Sequence, residues 1–408
     1  MYLFKKNAID ELIDYDPLIQ DIIQSYEFQR LKKISFLGLM DKIFPIKEFS
    51  RFDHSLGVGY LGLKFCENNL ISKEKGIYLI IACLLHDIGH LPFSHITERI
   101  FDVDHNKRTH YLIRKGGNGY YDNKKSINYI LNKKKIKPEI IINILKSKSS
   151  IKYFNDLFNI PFNLDTLEAI NRCAISLKID PIDPLKIIRT FKIKNNELVF
   201  NKKNFKIYDD FWKLKNEIYQ NYIYNDKNLK IEARFLYSLS NYFKELKKSE
   251  KIEKYTIMGD KQFTNFLFKN INGEMKSILD NVFKEKQKIF KELNVIKIFE
   301  KRGTFNQKDL AFYNNFIYFK LKNKYPDLKV FDKRVIRKFI IQNTLDFYLE
   351  NSEKDLLNRR YKIEFYSIFI CLFSENLKKK KIVFYIPEFN KNFRNKKNME
   401  IKEFFHDF

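Results

Sequence analysis

The segment Lys75–Asp87 constrains this chain most: the apolar run YLIIACLL leads without interruption into His86 and Asp87. Its composition predicts a strongly apolar helix, ended by Gly89 and Pro92. A helix that spans a bilayer needs about 20 apolar residues, so Tyr78–Leu85 is far too short for that role. Helical spacing recurs on both sides. Ile19, Ile22 and Ile23, then Phe28, Leu31 and Ile34, predict one or two short helices between Asp10 and Leu39, and Pro45 forces a break. Ser50 is a plausible N-cap for a helix from Arg51 towards Cys66. Gly57, Gly59 and Gly62 inside it suggest the close approach of another backbone, because each costs about 1 kcal/mol against alanine there.

Further along, Asp102–Asn132 is polar and predicted to be irregular at first, and helices are expected at Lys137–Lys146 and Leu164–Leu177. Glu197–Asn201 reads as a short strand and Tyr208–Tyr222 as a helix. The last third is helix-rich and Lys-rich, with one strand at Ile382–Ile386 and a polybasic stretch, Lys378–Lys381, that reads as a solvated patch. With 12 Gly and 9 Pro in 408 residues, long loops are few and helix is favoured.

Six of the seven histidines fall between positions 54 and 110: His54, His86, His90, His95, His105 and His110. Histidines gathered beside acids and helix ends point to a metal or acid-base site. His86 and Asp87 stand about 100° apart on a helix and can grip one ion together. His90 shares the face of His86 if the helix continues that far. Nitrogen and carboxylate donors suit one divalent transition ion, Mn, Fe, Ni or Zn, and Mg is a candidate additional ion. The blander alternative is a set of polar histidines at helix ends.

The four cysteines are widely spaced without a CxxC pair, which fits a reducing compartment and disfavours a thiolate zinc site. The N-terminal MYLFKKNAIDELIDYD is interrupted by acids too early for a signal peptide, so a soluble, cytoplasmic chain without a membrane partner is expected. The formal charge of +26 allows an electrostatic surface for polyanions, although abundant Lys, Asn, Ile, Phe and Tyr also reflect A/T-rich codons.

RFDHSLGVGYLG at Arg51–Gly62 and LLHDIGHLPFSH at Leu84–His95 together resemble the HD-domain phosphohydrolases. Among these the chain looks most like the deoxynucleoside-triphosphate triphosphohydrolases, including the animal type with an added SAM domain. EFQRLKKISFLGL at Glu27–Leu39 resembles the family's first helices, and NLDTLEAINRC matches its later acidic helix through Asp165, Leu167, Glu168 and Arg172. Taken alone, Asp165 would be an ordinary N-cap. The resemblance implies that His54, His86, Asp87 and Asp165 hold the metal and that Arg51 approaches the substrate phosphates. It also implies that His90 and His95 line the phosphate pocket and that His110, in RTHYL, is a further catalytic histidine. His105 has no counterpart and reads as a loop residue. The match covers about the first 250 residues, begins almost at the N-terminus, and leaves no SAM domain expected before it.

Some positions depart from the family. Tyr111 follows His110 where an acid is expected, Ala169 replaces an aromatic residue, Cys173 replaces an acid, and Phe36 replaces a polar residue. Apolar groups in place of hydrogen-bonding ones remove the basis for strict sugar or base selection.

The resulting expectation is a mainly α fold, with an HD-type helical core over 1–250, a helix-rich C-terminal region over 251–408 and a few short strands. The function expected is a metal-dependent phosphohydrolase acting on a nucleotide, dNTP triphosphohydrolase-like, and homo-oligomeric as related enzymes often are. A second reading is a phosphodiesterase or nuclease on single-stranded nucleic acid. A third is a non-catalytic polyanion-binding regulator.

Overall fold

The computed structural model describes residues 8–283 except 41–43, 45, 102, 117–122, 161, 200–203 and most of 224–252, where only 228, 231, 235, 238, 239, 242 and 243 are described. Beyond 283 it describes only short strands. The fold is mainly α. Three short helices, α1 (Ala8–Tyr15), α2 (Leu18–Gln24) and α3 (Tyr26–Arg30), precede the long α4 (Arg51–Asn68) and α5 (Lys73–Leu85). Then come α6 (His95–Phe101), α7 (His105–Lys115), α8 (Ile127–Lys133), α9 (Pro138–Leu145), α10 (Lys152–Asn159), α11 (Leu164–Ser176) and α12 (Pro184–Ile188). A hairpin, β1 (Lys192–Lys194) with β2 (Glu197–Val199), leads to α13 (Phe205–Ile218), which runs on into a π-helical turn at Tyr219–Ile223. The last described helices are α14 (Glu253–Thr256), α15 (Asp260–Asn270) and α16 (Gly273–Phe283). Helix α7 begins at His105, so the segment after Asp102 is ordered earlier than its polarity suggests.

The strand expected at Ile382–Ile386 is present as Phe384–Ile386, paired antiparallel with Lys402–Phe404. Pro45, the polybasic stretch and most of the expected C-terminal region lie outside the described residues. Among the described residues, no helix is long and apolar enough to cross a membrane.

Helices α4 and α5 pack along one another, with α1, α11 and α12 against α4 and α9 against α5. The apolar run predicted to be helical is buried throughout its second half: Leu79 to Leu85 are all at 0% exposure. The α4 glycines explain the tight packing in a way the sequence did not indicate. A Cβ at Gly57 would lie 2.1 Å from Glu168 Oε1, at Gly59 2.5 Å from Leu84 Cδ2, and at Gly62 3.0 Å from Cys83 Sγ. The close approach is therefore to side chains of α5 and α11 rather than chiefly to another backbone.

A second core lies on the other side of the histidine-rich turn. There Leu91, Phe93, Ile96 and Phe101 meet Phe235, Phe243, Tyr255 and Phe263. The site described next sits between the two cores, on the polar residues that neither can absorb.

Candidate metal and phosphate site

Helix α4 starts on a capping box: Ser50 Oγ accepts from the Asp53 N–H at 3.3 Å, and the Asp53 carboxylate accepts from the Ser50 N–H at 2.8 Å. This fixes the first turn, so that Arg51 and His54, three residues apart, face the same side. Helix α5 ends at Leu85, with His86 as its C-cap and Asp87 in the turn that follows. The helix therefore stops before His90, and His86 and His90 do not share a helical face. On α11 the N-cap is Asn163, which accepts from the Thr166 N–H at 2.7 Å, and this leaves Asp165 inside the first turn and free of the capping role.

The structure brings His54, His86, Asp87 and Asp165 together. His54 Nε2 lies 3.2 Å from His86 Nε2, 3.0 Å from Asp165 Oδ1 and 3.6 Å from Asp87 Oδ2. His86 Nε2 lies 3.4 Å from Asp87 Oδ1 and 3.7 Å from Asp165 Oδ1. The opposite ring nitrogens are committed elsewhere. His86 Nδ1 is 2.7 Å from the Cys83 carbonyl oxygen, which can only accept, so this nitrogen carries the proton. His54 Nδ1 is 2.5 Å from Glu168 Oε2, and Arg172 holds the other Glu168 oxygen from 2.8 Å.

In the neutral rings both Nε2 lone pairs thus face one another across a space walled by carboxylate oxygens. Of this set, Arg51 and His90 reach only the Asp87 carboxylate; the two Nε2 atoms and the Asp165 oxygen between them are all acceptors, and such a set calls for a cation. Partners that fix the tautomer from behind are the usual support of histidine ligands. The same demand shows in protonation. Burial alone would lower His54, but the Glu168 charge and the contacts with Asp165 and Glu168 raise it to about 9. The donor set fits one divalent transition ion.

Beside this centre stands a second array. Glu98 on α6 accepts from His90 Nδ1 at 2.9 Å, His95 Nδ1 at 3.3 Å and His105 Nδ1 at 3.1 Å. The His90 ring stacks on that of His105 with centroids 4.0 Å apart, and His90 Nε2 reaches Asp87 Oδ1 at 3.2 Å. Burial would raise the Glu98 carboxyl, but its hydrogen bonds with His105, His90 and His95 hold it far below the usual carboxylate range. Burial would lower His105, but the Glu98 bond raises it. Burial and then Arg51 push His90 down to about 4.

His105 reaches the array because Gly89 lets α7 approach. A Cβ at Gly89 would lie 2.1 Å from the His105 carbonyl oxygen, and the Gly89 N–H donates to Thr109 Oγ1 at 2.9 Å. The reading of His105 as a loop residue is therefore corrected. His105 is the first residue of a helix capped by Asp104, not a loop residue. His110 follows five residues later, about 140° around the helix. It is absent from the cavity lining and is surrounded by Lys146, Arg114, Asp104 and Glu139. The residue that follows His105 is Asn106, and Tyr111 is absent from the cavity lining.

A cavity of about 410 Å³ joins both arrays. Its polar wall includes Arg51, His54, Asp87, His90, His95 and His105. Arg51 donates to Asp87 Oδ2 at 2.7 Å and to Ser94 Oγ at 3.1 Å. The cavity lining also includes Phe36, Ala169, Cys173 and Tyr219. Near Asp165 stands the buried Lys215, which burial pushes down to about 8 against the pull of Asp165. Sequence reasoning missed Glu98 and Lys215 as site neighbours. Glu98 could have been found from its i,i+3 spacing to His95, whereas nothing local marks Lys215.

Comparison with known proteins agrees with this fold. Residues 51–152 match the HD domain family, and the chain resembles the HD-domain phosphohydrolases over that region. Within it the chain resembles the deoxynucleoside triphosphate triphosphohydrolases. It is 42% identical over 96 residues to deoxynucleoside triphosphate triphosphohydrolase SAMHD1 of Bos taurus, covering 22% of this chain and 16% of that one. It is 28% identical over 211 residues to the protein YwfO of Bacillus subtilis, covering 48% of this chain and 45% of that one. The chain thus spans less than half the length of these two relatives. A solved phosphohydrolase from Bacteroides thetaiotaomicron shares the fold with a TM-score of 0.60 at 17% identity, over 87% of this chain and 98% of that one. A hypothetical protein from Aquifex aeolicus does so with a TM-score of 0.61 at 20% identity, over 87% and 95%.

Proposed function

We propose that this protein is a metal-dependent phosphohydrolase acting on a nucleotide, with deoxynucleoside triphosphates as the leading substrate class. The observation that carries the reading is the convergence of two imidazole Nε2 atoms and two carboxylates beside Arg51, in one cavity with a second array of histidines. His54, His86, Asp87 and Asp165 would hold the ion. Bound there, a divalent transition ion supplies Lewis acidity and lowers the pKa of water.

The chain's own groups do the rest. Arg51, fixed by Asp87 and Ser94, brings a positive charge to the phosphate oxygens in the cavity wall. Glu98 orients His95 and His105 through Nδ1, so their Nε2 atoms are the positions at which a proton is exchanged with the attacking or leaving oxygen. We assign the acid-base role to His105 and His95 in place of His110. The apolar lining receives the nucleoside. With Ala169 and Cys173 it offers a sugar hydroxyl no strong paired partner, so the deoxyribose preference is expected to be weak.

The test is a hydrolysis screen of Mn-loaded protein against dNTPs, NTPs and single-stranded oligonucleotides, with product analysis. Release of inorganic triphosphate supports the reading. Cleavage of the oligonucleotides alone replaces it with the nuclease reading.

A further inference from the structure

The turn that carries His90 and His95 has local hydrogen bonds, from the Ser94 N–H to the Leu91 carbonyl oxygen at 2.8 Å and from Thr97 Oγ1 to the Pro92 carbonyl oxygen, but it is not held by these alone. Phe93 and Ser94 have φ of 56° and 51°, the left-handed region, without being glycine. Each such residue costs about 1–2 kcal/mol, and turns of this kind persist only where the surroundings over-determine them.

Two side chains from outside the turn add to that constraint. Asp260, the first residue of α15, accepts the Phe93 N–H at 2.8 Å on one oxygen and the Ser35 N–H at 2.7 Å on the other. Arg30, at 5% exposure, donates from one guanidinium nitrogen to the carbonyl oxygens of Ile88, at 3.0 Å, and His90. From the other it donates to those of Thr256 at 3.1 Å and Met258 at 3.4 Å. The Phe93 ring meets Phe235 with centroids 5.1 Å apart.

The two amides that share Asp260 stand next to cavity residues. Ser94, after Phe93, accepts from Arg51 Nε, and the Phe36 ring, after Ser35, lies 4.9 Å from the His54 ring. One carboxylate from a distant helix therefore ties the backbone beside Ser94 and Phe36.

We propose that Asp260, together with Arg30, is a positioning residue for the His90–His95 turn, so that the helices at 253–283 complete the reactive cavity. The proposal rests on the phosphohydrolase reading for its kinetic consequence, though not for its structural one. Misplacing a reacting group by about 1 Å can cost about 100-fold in rate.

The experiment uses the full Mn-loaded chain, with dGTP and bis(4-nitrophenyl) phosphate as probes. Asp260→Ala should lower kcat by about 10- to 100-fold on any probe the native chain turns over. KM should change less, and metal content should equal the native value, because no proposed ligand is touched. Asp260→Asn keeps one accepting oxygen and should recover part of the loss; it also carries the test if the alanine variant does not fold. Amide exchange should rise at 33–37 and 91–95 and stay native along α4. Native kcat in a variant with raised exchange overturns the positioning role, and unchanged exchange at 91–95 overturns the clamp itself. If the native chain turns over neither probe, the phosphohydrolase reading falls, and the exchange measurement alone decides the clamp.

Discussion

Glu27 should make the protein less stable as pH rises from about 4.5 to about 7. Its side chain is 1% exposed; one oxygen accepts the Ile127 N–H at 3.2 Å, and the other has no partner among the described residues. Burial pushes its pKa from 4.5 up to about 7, against the pull of two backbone N–H groups and the charges of Arg30 and Arg108. An acid whose pKa is higher folded than unfolded binds its proton more tightly in the folded state. Its contribution is therefore fully present below pH 4.5 and is lost as pH rises to about 7. At 1.36 kcal/mol per pKa unit, the loss between pH 5 and pH 8 is about 2.5 kcal/mol. Glu27→Gln removes the titration, and any fixed cost of the buried amide cancels when its stability relative to native is compared at two pH values. Urea unfolding of both proteins at pH 5 and pH 8 is the assay. The variant should gain about 2.5 kcal/mol on native between the two. A difference constant to within about 0.5 kcal/mol would refute the reasoning and show that Glu27 stays ionised when buried.

Three further outcomes are expected. His105→Ala should retain its metal and lose about two to four orders of magnitude in turnover, while His110→Ala should stay within about three-fold of native; parallel kinetics decide between the two. Asp165→Ala should lose both bound metal, measured by mass spectrometry, and hydrolysis, because it removes one of four convergent donors. Ala169→Tyr with Cys173→Asp should shift preference towards dNTPs over NTPs in competition assays with metal content unchanged. The added acid, at a 4% exposed position near Glu168, should also lower thermal stability.

The residues of the proposed centre were legible because each sits where a helix terminus is marked in the sequence. Ser50 announces the first turn that carries Arg51 and His54. The apolar run of α5 stops where His86 and Asp87 begin, and Asn163 opens the turn that carries Asp165. Such signals are local, and the resemblance motifs follow them. What the sequence could not convey depends on which face a helix turns to its neighbours. His105 and His110 lie on the same helix, both among basic residues, and only the contact of Gly89 with the start of α7 selects the first. Asp104 before His105 was a readable N-cap, and taking it as one would have started the helix in the right place. Arg30 and Asp260 were invisible for a different reason. Their partners are main-chain carbonyls and amides 58 to 228 residues away, and such partners leave no pattern in side-chain identity.

Asp87 explains why the two arrays are best understood as one device. One of its oxygens faces His86 and His90, at 3.4 and 3.2 Å, and the other takes the Arg51 bond at 2.7 Å. Burial would raise this carboxyl, but His86, His90 and Arg51 hold it well below the usual range, so it stays an anion among cations and would-be cations. It is thereby shared by the proposed metal centre, the guanidinium proposed to face phosphate and the array proposed to handle protons. A shift of the His90–Ser94 turn moves His90 against Asp87 and Ser94 against Arg51 at the same time. On the proposed reading, the geometry of phosphate capture and that of proton exchange are therefore coupled through a single carboxylate, and the Phe93 amide in the turn beside it is bonded from outside residues 51–152 by Asp260.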